Sequence, residues 1–151
     1  VKIIDIAILL FFILMIIRDI RIKRKLIIPT SKSHVENIIF LLIISFFIGM
    51  TYMGAKTWIH YLLGVLAIIW LTIMWIKIGI TTEGFSSMRR GKGIIKWNEI
   101  SKLTIVITDN IKITITGSFM EEIFYFKRKD YNEIIDVIKN KLPIKAKLNI
   151  N

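Results

Sequence analysis

Hydrophobic positions change their spacing near residue 79. Before it, apolar residues run together in three blocks, Ile3–Ile17, Asn37–Ala55 and Trp58–Ile78; after it they alternate with polar ones. A helix needs about 20 apolar residues to cross a hydrocarbon core of about 30 Å. The second and third blocks meet that length. The third, WIHYLLGVLAIIWLTIMWIKI, carries no charge between Trp58 and Ile76, and His60 is the titratable group near its start. The first, IIDIAILLFFILMII, is shorter and holds Asp5, and it is read as a span that Ile20 and Ile22 extend. Three transmembrane helices are therefore expected over residues 3–17, 37–55 and 58–78. A signal peptide is disfavoured, because its positive charges precede the apolar stretch and here they follow it.

The alternating half predicts strands, since side chains on a strand face opposite sides with period two. ITTEGFSS, GIIKW, KLTIVIT, IKITIT and EEIFYFK give five. Leu103, Ile105 and Ile107 share one face, as do Ile111, Ile113 and Ile115. A two-residue Asp109–Asn110 loop would mismatch these faces. A three-residue loop, Thr108–Asp109–Asn110, pairs Ile107 with Ile111 and Ile105 with Ile113, with Asn110 expected in the left-handed region. In the last strand both faces are apolar: Phe124 and Phe126 oppose Ile123 and Tyr125, so one face is left for a second layer, the bilayer or a partner. A helix follows from Asp130, with Asp130 as cap and Glu133 completing a capping-box-like pair. Tyr131, Ile134, Ile135 and Ile138 form its apolar stripe, and Pro143 ends it. The expected organisation is a transmembrane region over 1–78, a cytoplasmic α+β module over 79–143 and a fraying tail over 144–151.

Composition and charge sharpen this picture. The hydrophobic share is 54% and the mean hydropathy +0.62, whereas soluble domains carry roughly 45–50% apolar residues with glycine counted. Net charge is +11. In a membrane protein such an excess records topology and attraction to anionic lipid, not nucleic-acid binding. Arg18, Arg21, Lys23, Arg24 and Lys25 crowd the loop after the first block. Lys56 is the sole formal charge in the turn at 55–57, and Lys77, Arg89, Arg90 and Lys92 follow the third block. The positive-inside bias places the 18–36 loop and the C-terminal half in the cytoplasm, with the N-terminus and the 55–57 turn outside a multi-pass cell-membrane protein. Tyr52, Trp58 and Tyr61 near the outer turn and Trp75 near the inner end agree, because amphipathic rings favour the headgroup levels.

Counted from the turn, Gly49 and Gly64 fall at the same depth, with Ser45 one helical turn from Gly49. Small residues let helices approach closely in lipid. An intramolecular hairpin seam is preferred over a docking groove for another membrane protein. Asp5 lies close enough to its block's start to snorkel outward, and a relay role is disfavoured for want of a buried partner. No cysteine is present, which removes disulfides, thiolate ligands and thiol nucleophiles. His34 and His60 lack metal-ligand partners at fixed spacing. Glu121 and Glu122 are adjacent and point to opposite faces of a strand. GKG lacks the length and the Ser/Thr of a phosphate loop. No catalytic residue, metal site or cofactor is assigned. Trp97 is read as a core residue rather than a ligand stacker. Arg89, Arg90 and Lys92, in SSMRRGKG, form a basic tip attracted to an anionic leaflet, each charge contributing on the order of 1 kcal/mol there.

The stretches IGITTEGF and GKGIIKWNEIS, then a hairpin and a terminal helix, resemble the bacterial pleckstrin-homology-like (PH-like) domains that follow membrane helices in small Firmicute-type proteins. Ile95, Trp97, Glu99 and Ile100 match the second-strand signature I-x-W-x-E-I. The resemblance covers about the last half of the chain and implies a curved antiparallel sheet closed by the helix. About five strands stand here where a full PH barrel has seven. The resemblance also implies that the tip bearing Arg89, Arg90 and Lys92 occupies the loop that holds inositol phosphates in lipid-binding eukaryotic PH domains. By the same resemblance the chain is expected to be a non-enzymatic, membrane-anchored protein that acts by protein binding, with bacteriocin self-immunity as one version. The alternatives are an accessory subunit of a transporter or envelope complex, docked through the Gly49/Gly64 face, and an inner-leaflet lipid sensor. Membrane lipids and a membrane-protein or peptide partner are the partners expected, with self-association left open.

Overall fold

The computed structural model describes residues 2–88, 93–118 and 121–151. Two compact units share the chain: residues 1–24 with 32–76, and residues 25–31 with 77–151.

Helices α1 (Ile3–Arg24), α2 (His34–Gly54) and α3 (Trp58–Ile76) make the first unit. α3 packs against both others. Against α1, the Trp70 indole meets Phe12 edge-on, with ring centroids 5.8 Å apart, and its Nε1 donates to Asp19 Oδ2 at 2.9 Å. Against α2, a Cβ built on Gly64 would lie 2.4 Å from the Thr51 side chain, so the helices meet closely there because residue 64 has no side chain. Phe40 and Trp75 stack at 4.8 Å along the same pair. α2 starts in a complete capping box: Glu36 N donates to Ser33 Oγ at 3.1 Å and Ser33 N to Glu36 Oε2 at 2.9 Å, satisfying two amides that a helix start otherwise leaves unpaired.

α2 and α3 are long and apolar enough to cross a membrane. The expectation of three such helices is corrected to two among the described residues. α1 is long enough, but Asp5, Arg18 and Asp19 interrupt its apolar run. It also continues through residues expected to be loop, placing Arg21, Lys23 and Arg24 in its last turn, where the helix dipole favours cations.

The second unit holds two four-stranded sheets, ordered β1-β2-β3-β4 and β7-β6-β5-β8. The strands are β1 (Leu26–Pro29), β2 (Gly79–Thr81), β3 (Gly84–Ser86), β4 (Ile94–Lys96), β5 (Ile100–Ile107), β6 (Asn110–Gly117), β7 (Glu122–Lys127) and β8 (Lys147–Ile150). Helix α4 (Tyr131–Lys141) precedes β8. The count of about five strands is thus corrected to eight among the described residues, for three reasons. β1 lies in the basic run after α1 and pairs antiparallel with β2, Leu26 opposite Thr81 and Pro29 opposite Gly79. ITTEGFSS is two strands, because Thr81 Oγ1 accepts from Gly84 N at 3.2 Å and donates to Gly84 O at 2.8 Å, folding the segment back on itself. Part of the tail expected to fray is β8, parallel to β5.

The three-residue hairpin has the expected register, Ile107 opposite Ile111 and Ile105 opposite Ile113. Asn110 is not left-handed: among the described residues no non-glycine residue has positive φ. The turn is closed instead by Thr108, whose amide and Oγ1 both donate to Asn110 O, at 3.0 and 3.1 Å. Asp130 precedes α4 without a side-chain cap bond, because residues 128–130 form a 3₁₀ turn that already aims the chain into the helix. The expected capping pair with Glu133 is therefore absent.

One core unites the second unit. Ile28, Ile80, Phe85 and Ile95 from the first sheet meet Leu103, Ile105, Ile111, Ile113, Ile115, Phe124 and Phe126 from the second, and Ile134 and Ile138 of α4 close it. Full burial of each such side chain is worth about 1.5–3 kcal/mol, so alternation on the long strands accounts for most of what holds the sheets together.

Candidate functional site

Alternation leaves a second face on the β7-β6-β5-β8 sheet, turned away from the core. Register places Lys102 of β5 beside Lys147 of β8 and opposite Thr116 of β6. Lys112 lies opposite both Val106 and Tyr125. Lys127 and the half-exposed Ile123 and Tyr125 complete β7's contribution. Among the described residues no Asp or Glu occupies a strand position on this face. It combines four amines with apolar side chains, a pattern suited to an anionic partner that also offers apolar contacts.

The two edges of this sheet differ. At β7 the Ser31 amide, just beyond β1, donates to Tyr125 O at 2.7 Å. At the other edge β8 covers β5. A cleft of about 210 Å³ opens beside β1, lined by Ile28, Thr30, Lys127, Lys129, Asp130 and Glu133 among others. Its amines and carboxylates interleave, which gives it no net preference for ligand charge.

The signature I-x-W-x-E-I has a structural explanation. Ile95, Trp97 and Ile100 are buried. Trp97 packs edge-on against Phe85 at 5.3 Å and donates through Nε1 to Thr82 O at 3.2 Å. Glu99 reaches back to accept from Lys96 N at 3.3 Å, closing the 3₁₀ turn between β4 and β5. Trp97 is thus a core residue with its polar edge satisfied. Nearby, Ser87 Oγ donates to the buried Glu122 carboxylate, and Ser87 N bonds Gly93 O at 3.0 Å. The basic residues Arg89, Arg90 and Lys92 lie outside the described residues.

The helix-packing residues separate. Gly64 stands in the α2–α3 seam against Thr51, while Ser45 and Gly49 are exposed and nothing lies within 4 Å of a Cβ built on Gly49. The pairing of Gly49 with Gly64 in one seam is corrected: Thr51, two residues nearer the turn, meets Gly64 instead. Asp5 accepts from Lys2 N at 2.9 Å at the start of α1. Asp19, not singled out in the sequence, is fully buried and bonded to Trp70 and, at 3.2 Å, to Arg18 Nε. Its place in a run of basic residues made it look like loop, and the continuation of α1 is the signal that could have found it. Lys32, before α2, lies 4.4 Å from the Trp75 ring centroid. Burial holds its ammonium below the usual lysine range, partly offset by Glu36. His60 Nδ1 accepts from Lys56 N at 3.1 Å. Among the described residues no group of three His, Cys, Asp or Glu is placed to hold a metal.

No curated protein and no solved structure matches the chain. The family described as bacterial PH domain matches residues 21–151. That range takes in β1, passes through α2 and α3 and ends after β8, so it coincides with the discontinuous unit and the helices set into it. Sheets, closing helix and the explained signature fit the match, and the chain belongs to the bacterial PH domain family.

Proposed function

We propose that this chain is a membrane-anchored binding protein, in which α2 and α3 cross the cell membrane as a hairpin and the PH domain engages a protein partner in the cytoplasm. The observation that carries this reading is the pairing of β1 with β2. These strands flank the hairpin in sequence, so both of its ends start from one folded unit on one side of the membrane. Two antiparallel crossings return the chain to the side it left, so β1 and β2 can pair without dividing the sheet. Arg21, Lys23, Arg24 and Lys25 before the hairpin and Lys77 after it favour the cytoplasm for that side. PH domains are in general non-catalytic modules that bind proteins or lipids, and the amine-rich outer face favours an anionic partner.

In its most concrete version the protein confers self-immunity to a membrane-active bacteriocin, shielding a membrane target or intercepting the peptide. Expression in a sensitive strain should then lower killing by the cognate peptide, while unchanged sensitivity across candidate peptides rejects immunity. An accessory subunit of a transporter or envelope complex would instead co-purify with its partner in mild detergent and leave sensitivity unaltered.

A further inference from the structure

Segment 147–150 covers the β5 edge, yet it is poorly matched to it. The strand runs parallel to β5, the slightly weaker of the two pairings. Of its four side chains only Leu148 is half-buried, packed on the core, and Ile150 remains 43% exposed. Lys147 stands directly beside Lys102, and like charges so placed on neighbouring strands repel. The connection from α4 is a short turn closed by Ala146 N to Pro143 O at 2.9 Å, with Ile144 fully exposed. Backbone bonds therefore supply most of the attachment, including Asn151 N to Ile105 O at 2.9 Å. Any extended segment could reproduce those bonds.

We propose that the β5 edge is a strand-accepting site for an extended partner segment that places a carboxylate beside Lys102 and an apolar side chain where Leu148 sits, and that residues 147–150 are its displaceable resident. The inference rests on the reading of the PH domain as a protein-binding module and names the chemistry of its partner. Strand addition takes affinity from main-chain bonds and specificity from alternate side chains. Here the inward set selects apolar residues. The outward set faces Lys102, with Lys112 farther along the same surface, and selects acidic ones. Exchanging Lys147 for a carboxylate replaces repulsion with attraction, so an acidic segment outcompetes the resident at the same register.

Hydrogen exchange of the full chain in detergent micelles tests this. A short synthetic peptide alternating Glu and Val should speed exchange at residues 147–151 while β5 stays protected, and its Lys/Val counterpart should leave both unchanged. Lys147→Glu should slow exchange of the resident strand about fivefold and weaken the acidic peptide by a similar factor. Lys102→Glu should reverse the choice of peptide. Binding of neither peptide, equal binding of both, or binding that leaves 147–151 protected overturns the proposal. So does a doubling of mass with the strand exchanged between copies, which would make the occupant a second chain. Protection of the outer face by phosphatidylglycerol without release of the strand would assign that face to lipid. If Lys102→Glu still co-purifies with an unchanged membrane partner, the strand site is lost while the protein-binding reading stands.

Discussion

Gly84 is where the smallest change should have a large effect. A Cβ there would sit 1.9 Å from the Ile95 carbonyl oxygen, and that atom belongs to the backbone of the neighbouring strand β4, so no rotamer change relieves the clash. Gly84→Ala is expected to destabilise the domain by more than about 1 kcal/mol, measured as a lower thermal midpoint, whereas an unchanged midpoint would mean that β3 and β4 do not approach so closely. Residues with a strong local signature were legible at this scale: Trp97 announced itself as a large apolar group between strands, and its burial beside Phe85 follows. Asp19 was not legible. Its meaning depends on Trp70, far along the chain, whose indole reaches it only when α1 and α3 pack. Asn110 tolerates the left-handed region, but tolerance is not requirement, and Thr108 closes the turn without it.

At the scale of elements, two helix starts with the same spacing of capping residues, Ser33 with Glu36 and Asp130 with Glu133, differ in outcome. Asp130 with Glu133 looked like a cap and makes no cap bond. Ser33 with Glu36 makes both bonds of a capping box. Loss of a functioning cap costs about 1 kcal/mol, so Ser33→Ala should speed amide exchange in the first turn of α2 about fivefold. Asp130→Ala should leave exchange at the start of α4 unchanged. The opposite ranking would show that the 3₁₀ turn at 128–130 does not set up α4. Long strands were readable because alternation repeats enough times to fix register, as Leu103, Ile105 and Ile107 against Ile115, Ile113 and Ile111 illustrate. β1 and β8 were not. Each has four residues, too few to establish a period, and each is defined by a partner strand distant in sequence.

For the whole molecule, the controlling fact is that the PH domain is discontinuous. The change of texture at residue 79 looked like a domain boundary, and it marks instead the chain's return to a sheet begun at Leu26. That arrangement constrains topology more firmly than charge does, since a strand pair cannot be divided by a bilayer. The absence of native cysteine makes the test free of background. In intact cells a membrane-impermeant maleimide should label Thr57→Cys in the α2–α3 turn, and should label Asp109→Cys in the β5–β6 loop only after permeabilisation. Labelling of Asp109→Cys from outside would invert the orientation, and equal labelling of both would mean that the hairpin does not cross. Lys2→Cys then reports on α1 separately. Labelling from outside would make α1 a third crossing despite Asp19, with that carboxylate tolerated because Trp70 and Arg18 bond to it. Protection until permeabilisation would leave α2 and α3 as the whole anchor and α1 as a helix packed beside α3 without spanning.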